Sequence, residues 1–263
     1  MIDAHCHLEQ PDYDPDRDEV VERARKVLAA VVTSCSHPSD LEKSFEIAGR
    51  YRGFVFLSAG IHPEYVGEVK ERDIEEFMET VKKRRKDIVA IGEVGLDYHW
   101  VRDPGLRVRQ AEMFRRFIEF SEEIRKPLVV HSRGAFREAL EILEKEGAER
   151  AVLHLFGDKN LADRVVENGF YITVGPIIER SKVHKKLVRR VPLGRIFLET
   201  DAPWFGFGRR NEPTAIRSVA EKISSVLGIG FSEVWRVCGE SAAGFFGLES
   251  VLPPEKGSDS PEV

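Results

Sequence analysis

A chain of 263 residues, 42% of them hydrophobic, can bury a sizeable core, and its length is close to the roughly 250 residues of an α/β barrel. No apolar run reaches the roughly 18–20 residues that cross a bilayer, and Cys6, Cys35 and Cys238 are too widely spaced for a disulfide framework or a thiolate zinc knuckle. A formal net charge of −5 excludes bulk attraction to nucleic acid or acidic lipid, so a polyanionic ligand would need a local basic patch, a bound metal or both.

The chain opens Met1-Ile2-Asp3-Ala4-His5, with no basic segment followed by an apolar stretch, so a cytoplasmic location without membrane association is expected. From there a short β-branched or apolar run followed by an amphipathic charged segment recurs along the sequence. The runs expected as strands cover residues 1–6, 29–35, 54–61, 88–94, 128–131, 151–155, 170–174 and 196–200. Between them, apolar residues spaced three and four apart predict helices, for example over 108–123, where Ala111, Phe114, Ile118 and Ser121 share a face, and over 136–145. Strands that alternate with helices pair in parallel, because each helical crossover returns the chain to the same end of the sheet. Such pairing permits an open doubly wound sheet or a closed barrel; eight strands in this length favour a distorted (β/α)8 TIM barrel. Residues 212–248 read as extra C-terminal helix, broken near Gly228 and Gly230 and packed outside the barrel. The segment 251–263, mostly Pro, Ser, Gly and acid, is expected to be a flexible tail, leaving 1–250 as a single domain. The Lys/Arg clusters at 82–86 and 185–190 fall on expected helices, away from the strand ends, and read as solvated outer faces rather than a nucleic-acid groove.

His5 and His7 flank Cys6 at the end of the first expected strand. Residues two apart on a strand point the same way, so both imidazoles can face the barrel mouth while Cys6 faces the outer helices. Such a pair can grip one divalent metal, although two structurally satisfied histidines would look the same. Glu93 follows the apolar run Ile88-Val89-Ala90-Ile91-Gly92, where a carboxylate is costly unless it meets a cation or another partner. His131 ends Pro127-Leu128-Val129-Val130, His154 ends Ala151-Val152-Leu153, and Asp201 ends Ile196-Phe197-Leu198-Glu199-Thr200. Followed by Ala202-Pro203, Asp201 would also suit a helix N-cap. A single buried histidine is commonly structural. Six metal-competent side chains closing strands one, four, five, six and eight are a different matter, because the C-terminal strand ends of an α/β barrel form one rim, where active sites sit.

Seven stretches occur in order along nearly the whole chain: Ile2-Asp3-Ala4-His5-Cys6-His7-Leu8, Gly60-Ile61-His62-Pro63, Gly92-Glu93-Val94-Gly95-Leu96-Asp97-Tyr98, Val130-His131-Ser132-Arg133, His154-Leu155-Phe156, Glu199-Thr200-Asp201-Ala202-Pro203 and Arg210-Asn211-Glu212-Pro213. In this set the chain resembles the TatD-type metal-dependent deoxyribonucleases of the amidohydrolase superfamily. One stretch departs from that family's His-x-Phe-x-Gly pattern: in His154-Leu155-Phe156-Gly157-Asp158 the glycine comes one place early, which leaves His154 in position and bears on the loop's substrate contacts.

The resemblance implies a metal-dependent hydrolase, a nuclease that cleaves phosphodiester bonds of DNA, single-stranded and from an end. It implies one divalent ion held by His5, His7, Glu93 and Asp201 and a second held by Glu93, His131 and His154, with Glu93 bridging and Asp201 as general base. Mixed nitrogen and oxygen donors suit Zn²⁺, Mn²⁺, Ni²⁺ or Co²⁺, while the family's activity keeps Mg²⁺ among the candidates. Arg133 is expected to clamp a substrate phosphate, with a surface ion pair as the alternative, and His62 to contact substrate or pack beside the site. His99, Trp100, Trp204 and Phe205 follow strand ends, where they can stack on a nucleobase or form small loop cores. The same superfamily architecture serves other ester and amide substrates, so a D-aminoacyl-tRNA deacylase is the alternative. No obligate protein partner is evident, and a non-catalytic scaffold would have lost ligand positions that are all present here.

Overall fold

The strands of this chain are short, apolar and buried, as parallel pairing beneath a layer of helices requires. The computed structural model describes residues 1–252, and among them eight strands form one sheet. They are β1 (Ile2–Cys6), β2 (Ala30–Cys35), β3 (Val55–Ala59), β4 (Ile88–Asp97), β5 (Leu128–Arg133), β6 (Ala151–Leu153), β7 (Tyr171–Val174) and β8 (Ile196–Leu198). Each pairs in parallel with the next in chain order. The ring closes just beyond β8, where the Asp201 amide donates to the His5 carbonyl at 3.0 Å and the His7 amide donates to the Ala202 carbonyl at 2.7 Å. The architecture is the barrel, not the open sheet.

Helices α1 (Arg17–Arg25), α2 (Leu41–Arg50), α3 (Glu71–Lys83), α4 (Pro104–Ile124), α5 (Phe136–Lys145), α6 (Ala162–Glu167), α7 (Lys182–Leu187), α8 (Ile216–Leu227) and α9 (Phe231–Phe246) are the α-helices among the described residues. The α4 helix begins earlier than the apolar spacing predicts: Asp103 accepts the Leu106 amide at 2.9 Å and Pro104 occupies the first turn, where a missing N–H costs nothing. Its buried face carries Phe114, Ile118 and Ser121 as expected, with Ala111 only partly covered. The expected break in the C-terminal helix is real: Gly228, at φ 70°, caps α8 in the left-handed region that glycine enters without steric cost. Lys82 pairs with Glu123 and Arg190 with Asp163, so both basic clusters lie on outer faces among acidic neighbours. No helix among the described residues is long and apolar enough to cross a membrane.

Two apolar layers result. Between barrel and helices lie residues such as Val31, Leu57, Ile91, Phe114 and Leu140, while the barrel interior is filled by Ile2, Ala4, Ala30, Val32, Ala90, Val129, Val152 and Phe197. The end of α9 closes the floor: Phe245 and Phe246 pack 5.2 and 6.1 Å from the Phe197 ring. A short 3-10 turn, Glu249–Val251, follows, and Val251 and Leu252 rest on the same inner cluster. The remainder of the expected tail, 253–263, lies outside the described residues.

Simple alternation places the inward residues of β5, β6 and β8: Val129 leads to His131, Val152 to His154, and Phe197 to Glu199. In β1 and β4 it fails. Ile2 and Ala4 already point inward, which would send His5 and His7 out. Between Asp3 and Cys6, however, three steps of β1 oppose two of β2, so the strand bulges and the parity flips. The same happens between Ile91 and Val94, where three steps of β4 oppose two of β5 and Glu93 turns inward while Val94 joins the outer layer. Two glycines make room for that second bulge. A Cβ on Gly92 would lie 2.5 Å from the Val129 carbonyl oxygen, and one on Gly60 would lie 2.5 Å from the Gly92 carbonyl carbon.

Candidate metal centre

All six residues expected to ligate metal meet at the C-terminal rim, buried or nearly so. Their settings differ from the simple picture of strand ends. Glu93 sits in the middle of β4, which runs on to Asp97, and His131 is followed by two further residues of β5. His154 lies one residue past β6. Asp201 is neither on β8 nor an N-cap: it stands beyond the strand at φ 49°, a left-handed conformation that short polar side chains tolerate better than most. The surrounding motif holds this turn. Asp3 accepts the Thr200 amide at 3.0 Å and its hydroxyl at 2.6 Å, and the Asn211 side chain donates to the Thr200 carbonyl at 3.0 Å. Asn211 is in turn fixed by the Tyr13 hydroxyl, which donates to its carbonyl at 2.6 Å.

Glu93 divides the cluster. Its Oε1 lies 3.7 Å from His5 Nε2 and 3.6 Å from His7 Nε2, while Oε2 lies 3.3 Å from His131 Nδ1 and 3.2 Å from His154 Nε2. Asp201 Oδ1 joins the first half, 3.7 Å from His5 Nε2 and 3.4 Å from His7 Nε2. The two halves are separately compact enough for one ion each, His5 with His7 and Glu93, and Glu93 with His131 and His154.

Three of the four histidines are gripped from behind by a carboxylate that the strand-end reading passed over. His7 Nδ1 lies 3.1 Å from Glu9 Oε1, His131 Nε2 lies 2.9 Å from Asp97 Oδ2, and His154 Nδ1 lies 3.0 Å from Glu199 Oε2. Each rear nitrogen therefore carries the proton and the other presents its lone pair to the centre, the arrangement that orients metal-bound imidazole. A period of two was the available signal, because Glu9, Asp97 and Glu199 each stand two or four residues from a ligand. His5 is the exception: its Nδ1 is buried without a partner among the described residues.

The donor set fits divalent cations. Lone pairs of His7, His131 and His154 converge on carboxylate oxygens, and His5 Nε2 and His7 Nε2 stand 3.1 Å apart; a cation among them would relieve the repulsion of these facing groups. Without a cation, protons take that part. Burial opposes charge on the His154 ring, yet Glu199 and Glu93 outweigh it and raise its pKa to about 10. Burial would likewise push the Glu93 carboxyl up, but His5, His154 and His131 hold it well below the usual range. For His5, burial and the neighbouring His154 push the pKa well down, leaving the ring neutral and free to donate its lone pair.

A cavity of about 600 Å³ opens over this cluster. His62 lies beside it, its ring 4.2 Å from that of His131, and burial together with His131 lowers its pKa to about 3. Its Nδ1 accepts the Glu64 amide at 3.2 Å, so the ring caps the turn after β3 while still lining the cavity. Arg133 reaches the mouth, exposed, with its guanidinium 5.4 Å from the Trp100 ring centre and no carboxylate paired to it among the described residues, so the surface ion pair is not what holds it. Trp204 packs its ring 4.6 Å from His7, and Phe205 also lines the cavity. The early glycine after His154 sits close to a ring: a Cβ on Gly157 would lie 3.3 Å from the Phe136 ring, while Asp158 caps the next turn by accepting the Asn160 amide at 2.8 Å.

Comparison with known proteins gives the family and the fold. Residues 2–247 match the family described as TatD related DNase. The human deoxyribonuclease TATDN3 is 35% identical over 94% of this chain and 94% of its own length. The metal-dependent hydrolase YabD of Bacillus subtilis is 33% identical over 94% of this chain and 98% of its own. Among solved structures, the TatD homologue YJJV of Escherichia coli K12 shares the fold with a TM-score of 0.88 at 23% identity, covering 96% of this chain and 98% of that one.

Proposed function

This chain belongs to the TatD-related DNase family, and from that premise we propose that it is a deoxyribonuclease that trims single-stranded DNA from an end, using two divalent cations. One observation carries the reading: the two oxygens of Glu93 face different histidine pairs, as a carboxylate shared by two ions must. His5, His7 and Asp201 would hold one ion with Glu93, and His131 and His154 the other. When bound, such a pair polarises a phosphodiester, lowers the pKa of water and stabilises the leaving oxygen. Zn²⁺, Mn²⁺, Ni²⁺ and Co²⁺ suit the nitrogen-rich donor set better than Mg²⁺ does.

The chain's own residues supply the rest. Burial raises the Asp201 carboxyl, but its bond to His7 and the nearby His154 and His5 rings hold it below the ordinary value, so it stays ionised and able to take a proton from the attacking water. Arg133, with no carboxylate paired to it among the described residues, can grip non-bridging phosphate oxygens in bidentate fashion. His62, neutral by its low pKa and with Nδ1 already accepting the Glu64 amide, offers its Nε2–H as a donor without adding charge. The ester or amide alternative, including a D-aminoacyl-tRNA deacylase, is not favoured: the matching family is described as TatD related DNase, and the human relative is named a deoxyribonuclease. Three free, buried cysteines fit a reducing compartment, and we place the enzyme in the cytoplasm. The test is end-labelled single-stranded DNA with protein loaded with Mn²⁺ or Mg²⁺. Nucleotide release that falls by about 10²–10⁴-fold in Asp201→Asn, with folding intact, supports the reading; intact DNA after incubation with loaded wild-type protein defeats it.

A further inference from the structure

Trp100 is the most exposed large apolar side chain among the described residues, at 61%, and it lines the mouth of the cavity. Its loop is nonetheless firmly held. Asp97 Oδ1 accepts the His99 amide at 2.8 Å and the Trp100 amide at 2.7 Å, and Arg107 donates to the Tyr98 and Val101 carbonyls, each at 2.8 Å. The Tyr98 amide donates to the Arg133 carbonyl at 2.8 Å, which ties this loop to the end of β5. A loop fixed on both flanks that leaves an indole in solvent is presenting it, since an apolar ring of this size gains by burial.

Two neighbours say what it is presented to. Arg133 carries its guanidinium over one face of the indole, 5.4 Å from its centre, and has no carboxylate partner among the described residues, so one face of the platform holds a cation able to meet an anion and the other is left for a base. The same Asp97 that clamps the Trp100 amide holds His131 with its other oxygen at 2.9 Å, which fixes the indole relative to the metal-facing nitrogens. An aromatic face, a phosphate-seeking guanidinium and a hydrolytic centre in fixed register match one ligand chemistry, an unpaired nucleotide.

Resting on the deoxyribonuclease reading above, we propose that Trp100 and Arg133 form a subsite for the terminal nucleotide of a single strand, the base stacked on the indole and the adjacent phosphate held by Arg133. A base inside a duplex has both faces covered by its neighbours, and a terminal paired base offers only its outer face while its partner strand restricts its approach, so the subsite favours single-stranded or frayed ends.

The test compares three oligonucleotides of one sequence: single-stranded, single-stranded with abasic residues at both termini, and closed as a blunt duplex. For the wild-type enzyme KM should rise about tenfold or more when the terminal bases are removed, and Trp100→Ala should bring the two single-stranded KM values together, with Trp100→Phe intermediate. A second readout needs no turnover: in EDTA, the single strand should quench the fluorescence of the wild-type protein more than that of Trp100→Phe, while the abasic-ended strand quenches both alike. Equal KM values for wild type and Trp100→Ala on the base-bearing strand, or equal quenching of wild type and Trp100→Phe, overturn the subsite. Wild-type protein that cleaves none of the three overturns instead the deoxyribonuclease reading, and the quenching experiment still decides whether Trp100 binds nucleotide.

Discussion

Replacing Glu93 with Gln keeps the side chain's size and removes its charge, and the geometry makes the consequence unusual. Because Oε1 faces His5 and His7 while Oε2 faces His131 and His154, one substitution withdraws a donor from both halves of the centre. An ion that binds only the folded protein stabilises it by RT ln(1 + [L]/Kd), about 2.7 kcal/mol at a hundredfold excess over Kd. For a chain of this size that corresponds to a rise in Tm of roughly 5–11 °C. Removing even an outer partner of a metal site weakens binding by about 10- to 100-fold, so a direct shared donor should cost at least about 100-fold. The same ion concentration then only equals Kd, leaving ~0.4 kcal/mol and a rise of about 1–2 °C. Calorimetry with EDTA and with added Mn²⁺ or Zn²⁺, paired with metal analysis after dialysis, reads both quantities. His131→Asn is the control: it touches only Oε2, so it should lose the ion of one half and keep an intermediate shift. If Glu93→Gln retained the wild-type metal content and the wild-type rise in Tm, the carboxylate would not be shared and the proposed centre would fall.

Gly95→Ala should destabilise the protein by about 3 kcal/mol, or roughly 6–12 °C in Tm, because the added Cβ would lie 2.1 Å from the His131 carbonyl oxygen and force β4 and β5 apart; an unchanged melting curve would refute the packing argument. Acid should weaken the metal-free protein through His62, whose folded pKa of about 3 lies far below its ordinary 6.5. The unfolded chain takes up a proton that the fold refuses, so stability is complete above pH 6.5 and is lost as pH falls through the window down to about 3. At pH 4.5 the loss is up to about 2–3 kcal/mol, and His62→Asn should flatten that part of the stability–pH curve; equal acid sensitivity in the two proteins would show that another group dominates. Arg133→Ala should raise KM for DNA by about 10- to 100-fold through the lost charge-assisted bonds while sparing hydrolysis of a small neutral ester, and equal losses on both substrates would remove it from phosphate binding.

How much of this was legible beforehand differs from strand to strand. In β5, β6 and β8 the residue two before each inward polar group is an inward apolar one, so Val129, Val152 and Phe197 announce His131, His154 and Glu199 by period alone. In β1 and β4 the period misleads. Ile2 and Ala4 would have sent His5 and His7 outward, and Ala90 would have sent Glu93 outward, had an extra residue not been inserted in each strand. Nothing local in Ile2-Asp3-Ala4-His5 declares that insertion; in β4 the glycines on either side of Glu93 and Val94 hint at it, since each stands where a Cβ would strike the neighbouring strand. The rear carboxylates were missed for a different reason. Glu9, Asp97 and Glu199 read as ordinary acids in sequence, and their importance emerges only once the histidine each one grips has been located.

The aromatic pair at the end of α9 has a consequence for traffic. With Phe245 and Phe246 packed against Phe197 at the lower end of the barrel, the described residues leave the centre approachable from the rim, where the cavity opens. A strand would therefore have to approach and leave on the rim side, so that product and incoming chain would share one face.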